Sequence, residues 1–360
     1  ILQILLLDLG SVRPYLDTLI DPPSRNMIDA SLRRLTDLGA VMTTFTPELT
    51  PLGFHLASLP VEPRLGKCML LSCVFGCVEP ICIIAACLSH RSPFVSPLDK
   101  REQSDAAKRS FSALLKGEKS DHLTLLKAFQ GWEKAKTTRN EWQFCRTHFL
   151  SHNTLKMIND MKNQFLRLLE DVGFAELEGR RGSKQARKVL PEYNKHADQL
   201  KLLLAVLTAG LYPSVARVEQ PQQKSTNISR PGDRNPNNPN YKLKTREGIE
   251  VTIHPSSVNF GVQRFSSPWL VYFEKVKTSK IYVRDSSQIY PYALVLFGGG
   301  IRVLRERAVI TVDDWIKFRA PAQIGVLVRE LRRELDDVLL RKIEEPNADV
   351  TDVGQRVTDA

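Results

Sequence analysis

Between Leu49 and Lys67 the chain reads Leu-Thr-Pro-Leu-Gly-Phe-His-Leu-Ala-Ser-Leu-Pro-Val-Glu-Pro-Arg-Leu-Gly-Lys, and its prolines leave little freedom. Thr50 is a helix cap and Pro51 fits the first helical position, where a missing N–H costs nothing. Leu52, Leu56 and Leu59 then share one face. Pro60 stops that helix and Pro63 can start the next. The segment joins two helices through a short rigid break. It holds no nucleophile, general base or metal-binding cluster, so its role is architectural.

Around this junction the sequence divides by period. Leu16, Leu19 and Ile20 form one apolar face, broken by Asp21-Pro22-Pro23. Met27, Ile28, Leu32, Leu35 and Leu38 give a second helical face, ended by Gly39. Ala40-Val41-Met42 and Glu48-Leu49 can pair around a turn. Helix, helix, small wing is a winged-helix pattern over 1–58. Residues 59–175 are strongly helical. Ser120 caps a helix from Asp121 to Lys136, and Ser151 caps a longer one closed by Gly173. Cys68 to Leu88 is apolar enough to suggest a membrane span, but Glu79-Pro80 interrupts it and leaves two pieces too short to cross a bilayer.

A basic linker follows at 176–197. Leu200 to Leu211 is helical, after which the period changes to two. Short runs at Val215–Val218, Ile249–Ile253, Trp269–Phe273, Ile281–Val283, Ala293–Phe297 and Val309–Val312 predict strands of a small barrel over 198–320. The Pro-, Asn- and Gln-rich stretch from Pro221 to Asn240 reads as a long loop. A final helix is expected over 321–345 and a disordered tail over 346–360. The fold class is thus multidomain α+β: winged helix, all-α bundle, β-barrel, C-terminal helix.

Charge narrows the partner. The 360 residues carry a formal charge of +11, with a pI near 9.4. Such a balance favours a polyanion, most simply nucleic acid. The six cysteines form no CxxC pair, which argues against zinc, and five of them fall in one apolar region as small buried side chains. They are read as reduced thiols of a cytoplasmic or nuclear protein. The start, Ile1 to Leu7, lacks a basic leader and a cleavage site and reads as a helix cut from a longer chain.

Taken together these segments resemble the C-terminal region of DEAH/RHA-family RNA helicases: winged helix, helical ratchet, OB-like fold. The Leu49–Lys67 junction is similar to that family's passage from winged helix to ratchet. Ser120-Asp121-His122-Leu123-Thr124-Leu125-Leu126 resembles the start of a ratchet helix. Phe149 to Leu155 resembles another ratchet segment, with His148 standing where many members carry Asn. Ala209 to Pro213, Val251 to Asn259, Trp269 to Ser279 and Leu294 to Gly299 resemble segments of the OB-like fold. The likeness is strongest to the branch of the quadruplex-resolving RNA helicase and its zinc-finger-bearing relatives.

The motor is not in this sequence. No GxxxxGK[ST] occurs to hold phosphates, no DEAH tetrapeptide to hold magnesium, and no arginine-rich finger motif. Gly298-Gly299-Gly300 leads into a predicted strand at Ile301–Val303 and reads as a tight turn. No catalytic or metal-ligating residue is assigned. The resemblance implies ATP and magnesium in motor domains outside this chain. It also implies single-stranded or structured RNA, those motor domains and a protein activator as partners, with no membrane.

The candidate RNA-binding residues are His254, Ser256, Ser257, Lys275, Lys277, Thr278 and Ser279. Small hydroxyls, a histidine and lysines at strand ends suit phosphates and base edges. Trp269 and Tyr272 are equally assignable to stacking or to the barrel core. The resemblance adds Ser120, Asp121, His122 and Asn153 as candidates for an RNA channel. The implied role is to guide RNA and regulate a 3′–5′ motor. A stand-alone binding or scaffold protein is the alternative. A DNA-specific winged-helix regulator has less support, since Ser24–Leu38 offers only Arg25, Arg33 and Arg34 to a groove.

Overall fold

A computed structural model describes residues 1–178, 188–220 and 241–346. In chain order the helices and strands begin with α1 (Leu2–Leu6), α2 (Val12–Asp17), α3 (Arg25–Leu38), α4 (Pro51–Ser58), α5 (Pro63–Val74), α6 (Val78–Ser89), α7 (Arg101–Ala113), α8 (Asp121–Thr137), α9 (Glu141–Thr147) and α10 (His152–Asp171). They continue with β1 (Leu177–Glu178), β2 (Lys188–Val189), α11 (Leu200–Leu211), β3 (Val215–Glu219), β4 (Lys242–Thr245), β5 (Glu250–Ile253), β6 (Trp269–Lys277) and β7 (Ile281–Gln288). The chain then forms α12 (Pro291–Phe297), β8 (Ile301–Leu304), β9 (Val309–Val312), β10 (Ile316–Arg319) and α13 (Ala322–Glu344). Two compact units result: 1–82 with 163–213 and 295–360, and 83–162 with 214–294.

The first unit is built around the Leu49–Lys67 junction. Ile4, Val12, Ile28 and Leu32 form the core of the winged helix, and Val41 bridges Leu49 as the expected wing pair. Gly39 ends α3 at φ +81°, a conformation that favours glycine. Thr50 caps α4 by accepting from the Gly53 N–H at 2.9 Å and donates to the Gly39 carbonyl at 2.6 Å. Glu62 caps α5 through the Leu65 N–H at 3.2 Å. The half-buried Lys67 donates its ammonium N–H to the Leu38 carbonyl at the end of α3, at 2.8 Å. Burial pushes its pKa down to about 8. His55 Nε2 meets the Ile343 carbonyl of α13 at 2.6 Å. Gly210 lets α11 approach α5, since a Cβ there would overlap Cys68 and the Arg64 carbonyl. The junction thereby ties five helices together: α3, α4, α5, α11 and α13.

In the second unit β3-β4-β5-β7-β6 close into a barrel, with β5 and β7 parallel and the other pairs antiparallel. Ala216, Leu243, Val251, Ile253, Leu270 and Val283 fill it.

Three expectations need correction and one open alternative is decided. The barrel closes by Gln288; β8, β9 and β10 form a separate antiparallel sheet in the first unit. Ala293–Phe297 lies in helix α12, because a short apolar run has no period that separates strand from helix. The apolar stretch breaks at Gly76, φ +60°, while Glu79 and Pro80 sit in the first turn of α6, where proline is tolerated. Trp269 and Tyr272 are both buried, and Tyr272 packs in the barrel core. All six cysteines are buried and none forms a disulfide. The long loop expected at Pro221–Asn240, residues 179–187 of the basic linker and most of the expected tail lie outside the described residues; the linker's described flanks pair as β1 and β2.

Candidate nucleic-acid interface

Strand β7 runs through every part of the candidate site within the second unit. At its start, β6 and β7 form a hairpin whose tip carries Lys277, Thr278 and Ser279, all exposed, closed by a Thr278 N–H to Lys280 carbonyl bond of 2.9 Å. Lys275 lies one step back on the same face as Lys277, as alternation in a strand requires. It is 3.8 Å from the Glu247 carboxylate in the β4–β5 turn, an exposed pair of small energetic weight.

Midway along β7, Arg284 donates to His254 Nε2 at 3.1 Å. A guanidinium can only donate, so Nε2 accepts, while Nδ1 faces the Ser256 N–H at 3.1 Å and Ser256 Oγ at 2.7 Å. Partial burial and then the nearby Arg284 and Lys108 cations lower the His254 pKa, which agrees with a neutral ring. Lys108 of α7 donates to the Ser256 carbonyl at 2.5 Å. Two cations, a neutral imidazole and an exposed hydroxyl therefore converge beside Pro255. The sequence pointed to His254 and Ser256 but not to Arg284 or Lys108. Arg284 was legible as a basic residue in a strand; Lys108 is brought in from a distant helix and carried no local signal.

At its far end β7 is buried. Ser120 caps α8 through the Leu123 N–H at 3.0 Å and also bridges Ser287 as a short antiparallel extension of β7. The Asp121 carboxylate, at the positive end of α8, accepts from Val258 N–H at 2.8 Å, Ser286 N–H at 3.0 Å and Ser257 Oγ at 2.5 Å. His122 Nδ1 meets Ser287 Oγ at 2.6 Å, and Ser120 Oγ lies 2.6 Å from the same hydroxyl. Asn259 Nδ2 donates to the Ser286 carbonyl at 2.9 Å.

A serine, a histidine and an aspartate in one cluster invite comparison with a catalytic triad. The geometry does not support it. Asp121 bonds to the Ser257–Val258 turn and to Ser286, not to His122, and the side chains are closed off from solvent. Burial pushes the His122 pKa down to about 4, so no general base is poised there. Ser120, Asp121, His122 and Ser257 thus hold α8 to the barrel and offer RNA no surface. Asn153, by contrast, is exposed, at the start of α10.

Among the described residues, the Gly298–Gly300 turn does not fit a phosphate. The Gly300 N–H, which a phosphate loop would offer, is taken by Asp313 Oδ1 at 2.7 Å, and Arg332 donates to the Gly298 and Gly299 carbonyls. A carboxylate in that position repels phosphate. Among the described residues no cluster of histidine, cysteine, aspartate and glutamate is arranged to hold a metal ion. No described helix is long and apolar enough to cross a membrane.

Family models match in the order read from the sequence. The winged-helix part of the helicase-associated domain covers 31–61 and its ratchet-like part 62–125. The oligonucleotide/oligosaccharide-binding fold covers 203–301, and the C-terminal domain in RNA helicases 308–360. The chain belongs to the DEAH/RHA helicase family. It is 42% identical over 350 residues to the ATP-dependent DNA/RNA helicase DHX36 of Bos taurus, covering 96% of this chain and 32% of that protein. The DExH-box ATP-dependent RNA helicase DExH1 of Arabidopsis thaliana is 40% identical over 361 residues, 100% of this chain and 33% of that one. The putative ATP-dependent RNA helicase DHX57 of Homo sapiens is 42% identical over 351 residues, 92% of this chain and 25% of that one. The chain therefore spans about a third or less of the length of these relatives.

Proposed function

We propose that this region guides single-stranded RNA for an ATP-dependent 3′–5′ helicase motor and regulates that motor, with ATP and magnesium held by motor domains outside this chain. The observation that supports it is β7: one end is fixed to a ratchet helix by buried bonds, while the other presents Lys275, Lys277, Thr278 and Ser279, with His254, Ser256, Arg284 and Lys108 beside them. A rigid barrel with an exposed cationic edge suits a phosphate backbone. The relatives' names, ATP-dependent RNA helicases, agree with this role. The same reading makes the motor domains and a protein activator its partners, in the cytoplasm or nucleus.

Titration of this chain with a labelled single-stranded RNA at several salt concentrations tests the contact. Three or four phosphate contacts give a slope of log K against log salt of roughly −2 to −3. Replacing Lys275 and Lys277 with Ala should weaken every sequence alike and flatten the slope. Binding insensitive to salt, or a loss confined to one sequence, contradicts the reading.

A further inference from the structure

Of the four tryptophans, Trp132 and Trp269 are buried and Trp315 is half-buried, whereas Trp142 on α9 is 64% exposed. It is nevertheless fixed. Its indole stacks on the His152 imidazole at the start of α10, with ring centroids 4.0 Å apart and 29° between planes. His152 is in turn held by Trp132 of α8, whose Nε1–H donates to His152 Nδ1 at 3.3 Å, with the rings edge to face. Trp142 is the outer plate of a two-ring stack whose inner ring, His152, is held edge to face by the buried Trp132.

The surroundings are basic. Arg146 follows Trp142 by one helical turn on α9, and Lys156 follows His152 by one turn on α10; both are exposed. Lys136, in the last turn of α8 with its ammonium 5.5 Å from the Trp132 ring centroid, and Arg139, in the segment that leads into α9, are exposed. Asn153, adjoining His152, is exposed and can both donate and accept. A large apolar plate bordered by cations is poorly suited to an apolar protein face. It suits a flat aromatic group that carries negative charge alongside, which describes a nucleotide. Because the ring is already stacked, binding would immobilise little.

We propose that Trp142, backed by His152, is a base-stacking plate for single-stranded nucleic acid, with Arg146 and Lys156 serving the flanking phosphates. This rests on the RNA-binding reading and adds a contact that involves bases and lies apart from the barrel.

The test labels the chain with 5-fluorotryptophan and follows the four ¹⁹F resonances, that of Trp142 being assigned by its loss in Trp142→Phe. A short oligoadenylate is titrated in parallel with an abasic strand of equal length, while anisotropy records total binding. The expected result is a saturable shift of the Trp142 signal with oligoadenylate and not with the abasic strand. Trp142→Leu should weaken oligoadenylate binding about tenfold, leave abasic binding unchanged and be largely rescued by Trp142→Phe. The Trp269 and Trp315 signals report whether the variants fold. Binding without a Trp142 shift, or equal shifts with both strands, overturns the stacking plate and leaves the RNA-binding reading intact. No binding of either strand overturns both and points to a protein partner for this surface.

Discussion

The two ends of strand β7 differ in almost every physical respect. At the Ser286–Ser287 end both hydroxyls and the Ser286 amide meet partners from α8 or from the Ser257–Asn259 turn, and the side chains are buried. At the Ile281 end the hairpin keeps its lysines in solvent, with one loose ion pair. The same strand therefore fixes a position at one end and keeps a surface available at the other. Residues of similar chemistry, serines and a histidine among them, serve opposite purposes according to which end they occupy.

Substitutions at the buried end should affect stability most. Asp121→Ala strips the acceptor from the Val258 and Ser286 amides and from Ser257, leaving buried donors unmade. A loss of about 3–5 kcal/mol is expected, read from the denaturant midpoint. A loss under about 1 kcal/mol would mean that the knot is not closed in solution.

The next effect is acid sensitivity. His122 has its pKa lowered to about 4, so the folded state resists a proton that the unfolded chain takes up near pH 6.5. Stability is full above that pH and falls as pH drops from 6.5 towards 4, by about 3 kcal/mol for this group. Asp285, raised to about 6 chiefly by burial, works the other way, and its protonation offsets part of the loss. His122→Gln should flatten the descent in a pH series of urea melts. A descent unchanged in this variant would assign the acid sensitivity elsewhere.

Ser287→Ala removes the hydroxyl that meets both Ser120 and His122 and should cost about 1–3 kcal/mol, measured as a lower thermal midpoint. At the exposed end Lys277→Ala should change stability by less than about 0.5 kcal/mol. If Lys277 meets one phosphate, the same change reduces the salt slope of RNA binding by about 0.7. Reversed magnitudes at the two ends would dissolve the distinction between them.

Much of the architecture was written locally. Thr50, Ser120, Gly39 and Pro63 act where their cap and turn chemistry says they should, and the Val41–Leu49 pair forms the wing. What escaped was decided at a distance. Ala293–Phe297 became a helix because a short apolar run fits either period. Ser257 reads as an exposed hydroxyl beside His254 and Ser256, yet the fold turns it inward onto Asp121, some hundred and thirty residues earlier in sequence. The same long-range convergence supplies Lys108 to His254 and conceals Asp121 and His122. Trp142 carried no pattern at all; its value lies in its stack with His152, a contact between two helices.

Hydrogen–deuterium exchange with and without a short single-stranded RNA bears most directly on the division of β7 into a fixed and an available end. Amides from Glu274 to Ile281 and around His254 to Ser256 should gain protection on binding. Those of Ser257 to Asn259 and Ser286 to Gln288 should already be slow and remain unchanged. RNA binding that leaves the hairpin amides untouched, or that alters exchange chiefly around Ser286, would contradict the assignment.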